Sequence, residues 1–230
     1  MDWVLSHLDD LASYTAAHVA QCVPAIVIGF VVSVPLGYLA SRSRVARAVL
    51  LTGGNILYTI PGLALVILVP VTLGLPLLDS RNVVFALLIY AVALMVRSAT
   101  DAFSSVSPEV RQSAVAQGYS PAQRFWRVEL PLAGPVLLAG VRVVSVSTIS
   151  LATIGALIGI QNLGTLFTDA QSRAFLLEAF VGIVLVLLLA AVFDVVLTLL
   201  GRLLMPWQAA TSTRRRRRAV RAAATEGRAA

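Results

Sequence analysis

Lysine is absent from this sequence. All 18 basic residues are arginine, a preference that reads as the coding bias of a GC-rich genome and carries no chemistry of its own. Charge of either sign is scarce at 13% of residues, while 58% of the 230 residues are hydrophobic and the mean hydropathy is +0.88. So little polar surface excludes an ordinary soluble domain of this length. The apolar runs are continuous instead of alternating, which argues against a β-barrel. A single cysteine, Cys22, excludes an intrachain disulfide and a cysteine-based metal site. His7 and His18 stand outside any ligand cluster, so no metal is expected. There is no GxxxxGK[ST] loop, and hence no ATP site of that kind; HExxH, a nucleophile elbow and an inward carboxylate pair are missing too, so an enzyme would lack catalytic groups.

What the chain does have is long apolar runs, and they predict an all-α polytopic membrane protein. Five spans are expected, near residues 21–39, 52–71, 83–103, 132–160 and 176–200. Each is about twenty residues or more, enough for roughly 30 Å of hydrocarbon. Arginine placement predicts their sidedness. Arg42, Arg44 and Arg47 crowd the first connection, Arg111, Arg124 and Arg127 the third, and Arg202 follows the last span, whereas the second and fourth hold only Arg81 and Arg173. By the positive-inside rule the N-terminus lies outside and the C-terminus in the cytoplasm. Asp2, Asp9 and Asp10 occupy the place where a cleaved signal peptide would carry its basic region. An external interfacial helix is therefore expected over residues 1–18, with Trp3 and Tyr14 at the membrane surface. The run Arg214–Arg218 sits in a tail, residues 207–230, expected to be disordered, basic and cytoplasmic. It could hold an anionic leaflet or fix orientation; no nucleic-acid partner is expected.

The third connection, residues 104–131, is mixed in character where its surroundings are oily. Ser107 and Pro108 predict the start of a short helix, and Gly118 its end. Ser120, Pro121 and Gln123 repeat the device with a capping box, and Pro131 is expected to close this second helix before the membrane resumes. Ser113, Ala114 and Gly118 are small and would let a partner approach the backbone closely. Phe125, Trp126 and Val128 are expected on the membrane, with Arg124 and Arg127 reaching headgroups. Two readings follow, a docking surface or a simple interfacial loop.

The spacing separates them. Gln112-Ser113-Ala114, three residues, Gly118, nine residues, then Val128-Glu129-Leu130-Pro131 resembles the cytoplasmic EAA loop of ABC-importer permeases, with Gln112, Ser113 and Val128 as departures from its usual residues. "YTIPGLALVILVPVTLGLP" and "LPLAGPVLLAGVRVVSVSTISLATIGALIGIQNLGTL" further resemble the permeases of glycine betaine, choline and carnitine importers; methionine and polar amino acid permeases share the loop. The resemblance implies a type I ABC importer permease fold over residues 19–206. It also implies docking of a cytoplasmic ABC ATPase dimer on Arg111, Gln112, Ser113, Ala114, Gln117 and Gly118, with Leu130 and Pro131 completing the motif. A second permease subunit, identical or homologous, and an extracytoplasmic substrate-binding protein would complete the assembly in the bacterial cytoplasmic membrane. ATP would be used by the ATPase partner, and this chain would carry no cofactor. A passive channel or scaffold working without ATP is the alternative from another class. Substrate choice is expected to reside in the binding protein, because quaternary ammonium ligands want aromatic cages and no aromatic cluster lies along one span.

Within the membrane, Ser145, Thr148, Ala152, Gly155 and Gly159 recur at three- and four-residue steps and predict one small, weakly polar stripe, for close packing or for a pathway wall. Arg142 and Asp194 each cost on the order of 3 kcal/mol at a bilayer centre, and both lie at similar depth from one side. An ion pair between them is expected, the alternative being a snorkelling Arg142 and an Asp194 bound to a hydroxyl. Arg97 and Asp101 would pair locally. Pro24, Pro35, Pro61 and Pro70 are expected to kink their spans.

Overall fold

The computed structural model describes residues 2–207; the polyarginine tail lies outside them. Ten α-helices follow in order: α1 (Asp2–Ser6), α2 (Leu8–Arg42), α3 (Arg44–Thr59), α4 (Gly62–Leu73), α5 (Ser80–Ser104), α6 (Pro108–Ala116), α7 (Pro121–Arg124), α8 (Leu130–Ala152), α9 (Thr165–Arg173) and α10 (Leu176–Leu204). A π turn, Phe125–Glu129, joins α7 to α8, and a 3-10 turn, Thr153–Ile158, follows α8. No strand occurs among the described residues. Four helical stretches are long and apolar enough to cross a membrane, or five if α3 and α4 count as one broken span.

The central element is α5. It packs against α2, α3, α4 and α8, and its Ala91, Met95, Ala99, Ala102 and Phe103 are fully buried. Apolar side chains gain little by leaving lipid for another helix, so close packing of small residues has to hold such a bundle. A Cβ added at Gly37 of α2 would stand 2.4 Å from Ala99 Cβ, and one at Gly140 of α8 would stand 2.5 Å from Ser98 Cβ. Around this centre α10 packs on α8 and α9 and buries only Glu178, Gly182 and Gly201. Its apolar flank is otherwise open.

Several expectations change. The N-terminal segment is not a separate interfacial helix: after α1, one helix runs unbroken from Leu8 to Arg42, through Pro24 and Pro35. Leu11 is buried with Leu163 and Leu166, and Trp3 and Tyr14 pack against that cluster. The second expected span is broken, with α3 and α4 meeting at 103°. Pro61 has no N–H to donate and disfavours a helical Ile60, which adopts an extended backbone (φ −64°, ψ 128°). The fourth span ends as an α-helix at Ala152. Gly155 therefore lies in the 3-10 turn and Gly159 is its left-handed cap (φ +87°), so they do not continue the stripe of Ser145, Thr148 and Ala152, which are buried on α8. Asp101 lies 3.9 Å from Arg47 of α3 and not against Arg97. Both partners are about half exposed, so this pair contributes little.

The close approach of α2 and α5 gives a direct test. Gly37→Leu should lower the thermal stability of the purified protein by about 1–3 kcal/mol through overpacking. Gly53→Ala should be neutral or slightly stabilising, because a Cβ there meets nothing within 4 Å. Melting curves of both variants in detergent check the contrast.

Candidate functional site

The arginine-rich end of the bundle carries the mixed segment. Ser107 Oγ accepts from Val110 N (3.4 Å) and Pro108 opens α6. Its end is a reversal at Gly118 (φ +81°), where Gly118 N donates to Val115 O (2.9 Å) and Tyr119 N to Ala114 O (3.1 Å). Any side chain here would meet the steric cost of the left-handed region. The capping box then starts α7: Gln123 N donates to Ser120 Oγ (3.3 Å) and Ser120 N to Gln123 Oε1 (2.9 Å). Pro131 does not close this helix. The chain runs from Pro121 through the π turn into α8, with Leu130 N bonded to Phe125 O, five residues back. One extra residue in the turn changes the carbonyl spacing ahead of Pro131, so the ring is accommodated without a break.

On α6 the residues Gln112, Ser113, Val115, Ala116 and Gln117 are exposed, as is Gly118. Ala114 is not part of that surface; only 5% of it is exposed. Leu130 and Pro131 also lie elsewhere, in an apolar groove of about 490 Å³ formed with α2 and α10 residues such as Phe30 and Leu204.

Beneath α6 and α7 sits a residue that spacing along the chain does not single out. Glu129 has no exposed surface, yet three arginines from separate segments reach its carboxylate. Arg42, the last residue of α2, donates through Nη2 to both oxygens, at 2.6 Å to Oε2. Arg124 Nε donates to Oε1 (2.9 Å). Arg111 Nε stands 3.7 Å from Oε2, while its Nη2 donates to the Phe103 carbonyl at the end of α5. Arg124 therefore points inward and not to headgroups. Phe125 does the same, packing edge-on to Tyr38 at 4.8 Å between centroids and lying 5.8 Å from Phe103. Trp126 is 66% exposed. Arg42 also lies over the Tyr38 ring, 5.0 Å from its centroid. One carboxylate thus ties α6 and α7 to the end of α2, and Arg111 extends the contact to the end of α5. The available signal was stoichiometric: the mixed segment holds Arg111, Arg124 and Arg127 against only Glu109 and Glu129.

Farther into the bundle Arg142 and Asp194 meet across α8 and α10 in a bidentate pair, Nε to Oδ1 at 2.6 Å and Nη2 to Oδ2 at 2.7 Å. This parallel geometry is the strong form of the interaction. At the opposite end, where α8 gives way to the 3-10 turn, side chains take up its carbonyls. His18 Nε2 bonds Ile149 O (3.0 Å) and Asn162 Nδ2 donates to Ala152 O (2.8 Å) and to Gln21 Oε1 (2.9 Å). His18 thus has a structural place. Among the described residues no cluster of three or more His, Cys, Asp or Glu could hold a metal.

Residues 33–208 match the family described as the binding-protein-dependent transport system inner membrane component. The chain is 31% identical over 200 residues to the choline transport system permease protein OpuBB of Bacillus subtilis (strain 168), covering 86% of this chain and 89% of that one. It is 30% identical over 209 residues to the osmoprotectant import permease protein OsmW of Salmonella typhimurium, covering 89% and 96%. An inward-facing form of the MetNI methionine ABC transporter shares the fold, with a TM-score of 0.68 at 18% identity over 85% of this chain and 94% of that one. The chain belongs to the binding-protein-dependent permease family and is the membrane-spanning permease subunit of an ABC importer, not an enzyme.

Removing the charge of Glu129 leaves three guanidinium groups around a neutral site. Glu129→Gln should cost on the order of 3 kcal/mol and strongly reduce transport. Thermal unfolding and uptake by the assembled importer check both effects.

Proposed function

We propose that this permease subunit serves an importer of quaternary ammonium osmoprotectants, and that the exposed face of α6 is where its ATPase docks. The observation that carries the substrate class is the likeness, over most of both chains, to permeases named for choline and osmoprotectants, joined by the glycine betaine, carnitine and choline permease OpuCD of Bacillus subtilis. Choline, glycine betaine and carnitine share a trimethylammonium group. The likeness to the methionine transporter concerns the fold alone. Membership of a binding-protein-dependent family argues against the uncoupled channel.

In this reading the arginine-rich end, with α6, α7 and the C-terminal tail, is cytoplasmic and the N-terminus is outside. Residues 1–18 belong to the external end of the chain, residues 19–206 form the permease domain, and residues 207–230, mostly outside the described residues, are assigned to the cytoplasmic side. A second permease subunit pairs with this one, a cytoplasmic ATPase dimer engages Arg111, Gln112, Ser113, Gln117 and Gly118, and an extracytoplasmic binding protein delivers the solute. ATP binding closes the ATPases and draws the two α6 helices together. Glu129 passes that displacement to α2, and through Arg111 to α5. The chain supplies a helix packing with two arrangements, which its partners bias. Ser145, Thr148 and Ala152 are buried within this subunit, so in this reading they serve helix packing and not an open wall.

Purified with its ATPase and binding protein in liposomes, the complex should take up choline or glycine betaine in an ATP-dependent manner and should not take up methionine. Gly118→Val should abolish uptake while membrane insertion stays normal, because a β-branched residue is strained by at least about 1–2 kcal/mol at that left-handed position. Methionine uptake would contradict the substrate class, and full activity of Gly118→Val would contradict the docking role.

A further inference from the structure

The break between α3 and α4 leaves backbone groups without partners in the apolar part of the chain. It lies at membrane depth: the Tyr90 hydroxyl, near the middle of the 25-residue α5, donates to the Ile60 carbonyl. Gly62 sits against Ile154 of the 3-10 turn, where a Cβ would be 2.8 Å from its Cδ1. Two helix discontinuities therefore meet beside Tyr90. Pro61 brings no N–H, and among the described residues no hydrogen bond reaches the carbonyls of Tyr58 or Thr59. Residues 58, 59 and 61 are exposed, and α3 buries none of its residues.

Bare carbonyls cannot face hydrocarbon, where each would cost several kcal/mol. The open flank of the break must face water or protein. On it lies the Tyr58 ring, 44% exposed and edge-to-face with Tyr90 at 5.6 Å between centroids. No aspartate or glutamate occurs between Arg44 and Leu73. The α3 side of the break thus presents one ring face and two carbonyl oxygens and carries no full charge, while the first N–H groups of α4 stand on its other side.

That α3 side is the complement of a trimethylammonium group, which has a spread positive charge and no N–H to donate. We propose that the break is a subsite on the transport passage, where the Tyr58 ring and the Tyr58 and Thr59 carbonyls contact the methylated ammonium group of the solute. Weak attraction without a carboxylate suits a passage, since the solute must leave as readily as it enters. The ligand class rests on the proposed substrate; the placement of the break on a watered passage does not.

The test uses the assembled transporter with Cys22→Ala and Thr59→Cys, and a water-soluble trimethylammonium-ethyl methanethiosulfonate as probe. The probe should label Thr59→Cys but not Leu187→Cys on the open flank of α10, and tetramethylammonium should slow labelling roughly tenfold. Adding Tyr58→Phe should keep that protection and Tyr58→Leu should remove it. If only a lipid-soluble maleimide labels Thr59→Cys, the break faces lipid and the proposal falls. If labelling is rapid but indifferent to tetramethylammonium, or if Tyr58→Leu keeps full protection, the ammonium subsite falls. Protection is read without transport, so a complex that imports no quaternary ammonium solute would sink the substrate assignment while this test still decides the subsite.

Discussion

A buried carboxylate holds α6 and α7 to the end of α2. Glu129 lies where the π turn enters α8, and the groups that neutralise it come from the end of α2, from α6 and from α7. The three guanidinium groups share this one carboxylate, so losing its charge would leave all of them around a site without its counter-ion. In the proposed reading, force applied to α6 reaches α2 through this site and α5 through the Arg111 contact with Phe103. The aromatic cluster of Tyr38, Phe103 and Phe125 fills the space below and resists shear.

The membrane, as solvent, explains where the rest of the polarity goes. Regular helices satisfy their own backbone, so the places where helix geometry fails need local partners. At the end of α8 these are His18 and Asn162, with Gln21 holding Asn162 in place. At the break before α4 Tyr90 answers one carbonyl and leaves two open. Arg142 and Asp194 answer one another. The first of these sites is structural, and the break is the one proposed above as a subsite.

Much of this was legible in the sequence because it depends on local rules. Ser107, Gly118 and the Ser120–Gln123 box act within one turn of helix, and each appears where spacing puts it. The meeting of Arg142 with Asp194 followed from depth, which a straight helix preserves. What escaped depends on long-range geometry. Glu129 looked like one polar residue in a mixed loop because Arg42 is 87 positions away. Tyr58 and Tyr90 lie on different helices, so no aromatic cluster showed along one span. The expected stripe ran past Ala152 because periodicity assumes a helix that continues, and α8 tightens there instead. Pro131 was read as a stop because a π turn cannot be read from composition.

The central claim is that α6 and the end of α2 move as one body. Spin labels at Gln117 on α6 and at Val45, just past Arg42, in a Cys22→Ala background measure it by pulsed electron resonance in the assembled importer. The account predicts that the Gln117–Val45 distance stays the same with and without ATP, while the distance between the Gln117 labels of the two permease subunits shortens when ATP binds. A Gln117–Val45 distance that changes with nucleotide would contradict it.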